Sequence, residues 1–157
     1  MIMSKVDKYM ALIPRIQSVL SGETDEIAKM SNVAALLHFE FGFWWTGFYR
    51  VVSADELVLG PFQGPVACTR IRKGRGVCGT SWIEERTLVV PDVEQFPGHI
   101  ACSSESRSEI VVPCWKCGRI VAVLDIDSKE LATFDEVDKD YLEQIVSMLD
   151  GEECHME

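Results

Sequence analysis

The segment that most restricts the fold is "SEIVVPCWKCGRIVAVLDID", residues 108–127. Two β-rich runs flank a glycine, which reads as an antiparallel hairpin. In the second run both alternating faces are apolar, so this strand has to be covered on both sides. Gly118 can supply the positive φ of a three-residue loop, Lys116-Cys117-Gly118, closed by a glycine bulge. That register sets Trp115 against Arg119 and Glu109 against Asp125. Asp125 and Asp127 are two apart and share a face. A two-residue loop would send Glu109 to the other face. The odd loop therefore predicts three carboxylates, Glu109, Asp125 and Asp127, converging near one end of a central hairpin.

Further strands are expected at "WWTGFYRVV", "ELVLGPF", "ACTRI" and "TLVVP". Helical spacing marks "TDEIAKMSNVAALLHFEF" behind a Thr24 cap, and "TFDEVDKDYLEQIVSML" behind a Thr133/Glu136 capping box. A weaker helix covers Ser4 to Leu20 with Pro14 as an interruption, and a short interior one fits "GVCGTSWIEER". Helices at both ends around strands predict an α+β domain with a central, largely antiparallel sheet. The 157 residues suit one domain, 1–157, with a flexible tail from about 150 to 157. Cys154, in that tail, is expected to be incidental.

The formal charge of −10 argues against phosphate-backbone binding, and the one basic cluster, "TRIRKGRG", is short and broken by glycines. No run approaches the ~20 apolar residues of a membrane span, and "MIMSKVDKYM" lacks a signal-peptide core. The expectation is a cytoplasmic chain with no nucleic-acid or membrane partner. There its six cysteines would be core fillers, metal ligands or redox groups rather than a disulfide framework.

Cys102 stands in "HIACSSESRSE", a polar stretch unlike the surroundings of a buried thiol, and accessibility is what a nucleophile requires. Cys78, near the start of the interior helix, would have its thiolate favoured by the helix dipole. Cys68, in a strand, reads best as a core filler. "CWKC" straddles a turn and has no second ligand pair among His38, His99 and His155, so no metal site is expected and Cys117 fills a turn position. Trp45 and Tyr49 share a face, with Gly47 between them leaving room for a sulfur-bearing side chain, although core packing explains the rings equally well. The three carboxylates repel, which should hold at least one proton above its usual pKa. Such a cluster suits an ammonium group or the protonation of an oxygen, unless it is simply a solvated strand end.

The motifs "WTGFYRV", "GVCGTSW", "LVVPDVEQFPGHIACSSESRSEIVVP" and "VLDIDS" resemble the free methionine-(R)-sulfoxide reductases, stand-alone members of the GAF-domain fold. The likeness runs from about Phe43 to the C-terminal helix. It includes the cysteine spacing, ten residues from Cys68 to Cys78 and twenty-four more to Cys102. The resemblance implies N- and C-terminal helices on one side of the sheet and a loop-covered pocket on the other. It implies Cys102 as the nucleophile, Cys78 as the resolving thiol and Cys68 as a thiol that passes oxidation outward. Glu109, Asp125 and Asp127 would bind substrate together with Trp45 and Tyr49. Thioredoxin would be the reductant, with no cofactor, and a homodimer is possible. The paired cysteines of "CWKC" depart from the family pattern. The alternative is a non-catalytic GAF module that senses a ligand or redox state.

Overall fold

The structure, a computed structural model, describes residues 2–99, 105–151 and 154. The strands are β1 (Trp45–Val51), β2 (Glu56–Gln63), β3 (Arg70–Arg72), β4 (Leu88–Val90), β5 (Ser108–Lys116) and β6 (Arg119–Ser128). They form one antiparallel sheet in the order β3-β2-β1-β6-β5-β4, so the expected hairpin occupies its middle. The helices are α1 (Lys5–Leu20), α2 (Glu26–Phe41), α3 (Gly76–Glu84) and α4 (Glu136–Ser147).

The hairpin differs from expectation in a way that preserves its consequence. Its loop has two residues, because Lys116 pairs with Arg119 and Trp115 with Ile120. Cys117 (φ 53°) and Gly118 (φ 77°) take the two left-handed positions of a tight turn, which matches the twist of the strands. Beyond the turn, Ala122 lies opposite Cys114, which leaves Val121 as one extra residue on β6. This bulge slips the register by one. Glu109 now faces Asp127, and Val111 faces Asp125. An even loop and a bulge give the same parity as an odd loop, so Glu109, Asp125 and Asp127 do share a face.

Alternation then separates two layers. Ile110, Val112, Leu124 and Ile126 point to the side covered by Tyr9, Leu12 and Ile16 of α1, Val33 and Leu37 of α2, and Leu142 and Ile145 of α4. Val111, Val123, Trp45 and Tyr49 point to the other side, against Val77, Cys78 and Trp82 of α3. β6 is thus covered on both faces, as its double apolar pattern required.

Pro14 does not interrupt α1. The carbonyl it leaves unbonded belongs to Met10, which is exposed to water, while Leu12 and Ile16 on the packed face hold the helix together. Two caps lie slightly downstream of expectation. Asp25 rather than Thr24 accepts from Ala28 N at 2.9 Å, and an Asp135/Asp138 box replaces Thr133/Glu136. Asp138 is 1% exposed, and its carboxylate takes Tyr9 Oη at 2.6 Å, Lys5 Nζ at 2.6 Å and Asp135 N at 3.0 Å. It ties the first helix to the last.

Cys154 is not incidental: it is disulfide-bonded to Cys117 across a Cα separation of 5.4 Å, joining the tail to the hairpin turn. Cys114 is a buried free thiol, pushed up to about 12 by burial. No helix among the described residues is long and apolar enough to cross a membrane.

Candidate active site

β1 supplies the aromatic floor because it pairs with β6 where the carboxylates lie. Trp45 is opposite Asp127, Gly47 opposite Asp125 and Tyr49 opposite Val123. The Trp45 and Tyr49 rings stack at 5.9 Å between centroids. A Cβ on Gly47 would stand 2.6 Å from Trp45 Cη2, so only glycine lets the indole fold across the strand. Trp45 Nε1 donates to the Pro65 carbonyl at 3.0 Å, and the Tyr49 hydroxyl donates to the Cys68 carbonyl at 2.9 Å. Both rings are therefore locked against the loop that leads into β3. They bound a cavity of about 60 Å³ whose far wall is the first turn of α3 and whose base is the carboxylate cluster.

Glu109 and Asp125 are each 6% exposed, and Asp127 is half-buried. Burial, and then the charges of Asp125 and Asp127, hold Glu109 well above the usual carboxylate range. Asp127 is raised by burial and by Asp125, against a hydrogen bond donated by Ser106 Oγ at 3.3 Å. Asp125 is raised by burial too, but hydrogen bonds from Glu109 and Cys78 and the nearby His99 pull it back. All three are thus held toward the protonated form, and Asp125 is the one with hydrogen bonds and a neighbouring imidazole working the other way. Its Oδ1 is buried without a hydrogen-bond partner among the described residues. Three acids with no salt-bridged lysine or arginine among the described residues make a site that favours a positive group entering from outside.

Two of the cysteines differ from expectation. Cys78 lies in the first turn of α3, but its thiol is pushed well up, by burial first and then by Asp125, Glu109 and Asp127. Burial first, and these acids second, outweigh the helix dipole, so Cys78 is held as a thiol. It is free and buried. Cys68 sits in the loop before β3, not in a strand, and is disulfide-bonded. Cys102 lies outside the described residues.

The sequence matches the GAF domain family over residues 15–150. GAF domain-containing protein A of Dictyostelium discoideum is 60% identical over 148 residues, with 94% of each chain covered. The free methionine-R-sulfoxide reductase of Escherichia coli is 42% identical over 149 residues, covering 94% of this chain and 90% of that one. The free methionine-R-sulfoxide reductase from Neisseria meningitidis, solved in complex with its substrate, is similar with a TM-score of 0.93 and 52% identity over 96% of this chain and 90% of that one. The chain belongs to the free methionine-R-sulfoxide reductase family of GAF domains.

Within this GAF domain, three contributors had no local sequence signal. Ser106 reaches Asp127 from the strand-entry loop, and Arg75 and His99 line the cavity from separate loops. Their roles follow from the tertiary register of the GAF fold, which no short motif encodes.

Proposed function

We propose that this protein reduces free L-methionine-(R)-sulfoxide to methionine, with Cys102 as nucleophile. The observation that carries the reading is the juxtaposition of two stacked aromatic rings with three buried, mutually repelling carboxylates. This juxtaposition lies in a fold shared over nearly its whole length with a reductase solved with its substrate. The rings suit the substrate methyl and sulfur. Asp125, as the ion, suits the α-ammonium, which a peptide-embedded residue lacks.

In the proposed step the Cys102 sulfur attacks the sulfoxide sulfur while Glu109 protonates the oxygen. An S–S bond forms between Cys102 and the substrate sulfur as the S–O bond breaks and the oxygen departs as water. Water then attacks the Cys102 sulfur, the S–S bond breaks, methionine leaves reduced, and Cys102 is left oxidised by two electrons as the sulfenic acid. A neutral carboxylic acid is needed because the oxygen must depart protonated, and the fold keeps Glu109 in that form. Cys68 then attacks the sulfenic sulfur, releasing water and forming a disulfide. Cys68 is favoured over Cys78 as the resolving thiol, because Cys68 is the one already disulfide-bonded while Cys78 is free and held protonated. A dithiol reductant of the thioredoxin type returns both thiols.

The test is loss of methionine-(R)-sulfoxide against the S epimer and against a peptide carrying the same sulfoxide. Turnover is expected for the free R epimer, with Cys102→Ser inactive even with a small-molecule thiol. Ligand binding without turnover would instead make the chain a sensing module, and normal turnover by Cys102→Ser would refute the nucleophile.

A further inference from the structure

Cys78, Glu109 and Asp125 come from α3, β5 and β6, so nothing in their sequence spacing marks them as a set. One donor atom from each nevertheless lies within 4.8 Å of the other two, and all three residues are buried. A single ion with bonds of about 2.0–2.3 Å to oxygen and sulfur holds its donors about 3.5 Å apart, so small side-chain rotations close the set. A second observation is independent of that clustering: Asp125 Oδ1, on a residue 6% exposed, has no hydrogen-bond partner among the described residues.

We propose that this pocket binds one divalent cation of the zinc class, through Cys78 Sγ, Glu109 and Asp125, and that the bound ion excludes the sulfoxide substrate. One sulfur and two carboxylate oxygens select zinc or cobalt over magnesium and calcium, which need six or more oxygens or several retained waters. Three protein ligands leave the fourth tetrahedral position to water. The cation replaces the protons that burial and then repulsion keep on these groups, so binding releases protons to solvent and changes no oxidation state. Three anionic ligands outweigh the opposing Arg75 on the cavity wall. The ion's seat rests on the donors alone, whereas competition with substrate rests on the reductase reading.

The deciding experiment titrates the full chain, held reduced by a thiol-free phosphine, with cobalt in the absorption spectrometer and with zinc in the calorimeter. One ion per chain and a sulfur-to-cobalt charge-transfer band are expected. Cys78→Ser should remove the band and, like Asp125→Asn, weaken zinc binding at least tenfold. Cys114→Ser and Cys102→Ser should bind within about threefold of the parent. Thermal unfolding confirms that each variant is folded. A parent chain without the band, a band lost in Cys102→Ser but kept in Cys78→Ser, or displacement of zinc by equal magnesium would each overturn the site. Zinc should raise KM for the sulfoxide and leave kcat unchanged, and a purely kcat effect would overturn the competition. Cobalt bound through Cys78 in a chain that never turns over sulfoxide would uphold the cation site while refuting the reductase reading.

Discussion

Two buried aspartates, one on each side of the sheet, meet opposite fates. Asp138, under the helices, is surrounded by donors: a tyrosine hydroxyl, a lysine ammonium and a backbone amide. Asp125, on the pocket side, faces two further acids and a thiol and keeps one oxygen unbonded. Burial is nearly equal, so the difference lies in the partners. A buried carboxylate with a full set of donors holds elements together. A buried carboxylate among like groups stores an unmet demand that a ligand can satisfy.

The contrast breaks most visibly at Glu109, the neutral neighbour of Asp125. Glu109→Gln should lower turnover by about 10²–10⁴-fold, the range of a lost general acid, while the melting temperature stays level or rises because a buried acid no longer has to be kept protonated at neutral pH. Steady-state kinetics beside calorimetry checks both halves, and a large fall in stability would place Glu109 with the structural acids. Asp138→Asn should do the reverse. It should cost about 3 kcal/mol, the low end for a broken buried pair because Lys5 is partly exposed, or about 6–12 °C in Tm. Turnover per folded molecule should be unchanged. Cys154→Ser should cost about 2 kcal/mol under oxidising conditions, the low end for a native disulfide because Cys154 itself is exposed, and nothing in a reducing buffer.

The smallest effect is in pH dependence, and its sign separates the two sides. Glu109 and Asp127 have folded pKa values raised above the unfolded ones. The stability they contribute is full below about pH 4 and is lost as pH rises into their raised range. Thermal unfolding followed from acid to neutral pH should therefore show a shallower decline in a Glu109→Gln, Asp127→Asn double variant. An unchanged slope would mean the cluster is not protonated in the fold.

Much of this was legible in local sequence. The covered β6 strand, most strand and helix positions and the Trp45–Gly47–Tyr49 floor rest on periodicity or spacing, which the chain displays directly, whereas the acids share a face through the Val121 bulge rather than through the three-residue loop expected from Gly118. What was not legible depended on distant groups. Cys78 is kept protonated by burial and by acids more than thirty positions away, not ionised by the helix that carries it. Pro14 is tolerated because α2 and α4 pack against its helix. The Cys117–Cys154 bond needed the tail to return to the hairpin turn.

The Val121 bulge has a consequence for how such a gene can vary. In the present sequence a two-residue turn without the bulge would set Glu109 opposite Ile126 and break up the acid face, whereas deleting Val121 itself would leave Cys114 opposite Ala122 and Glu109 opposite Asp127 in a regular ladder. Loss of the bulged residue is therefore absorbed locally. A relative with a three-residue turn and no bulge carries the same pocket written in a different frame.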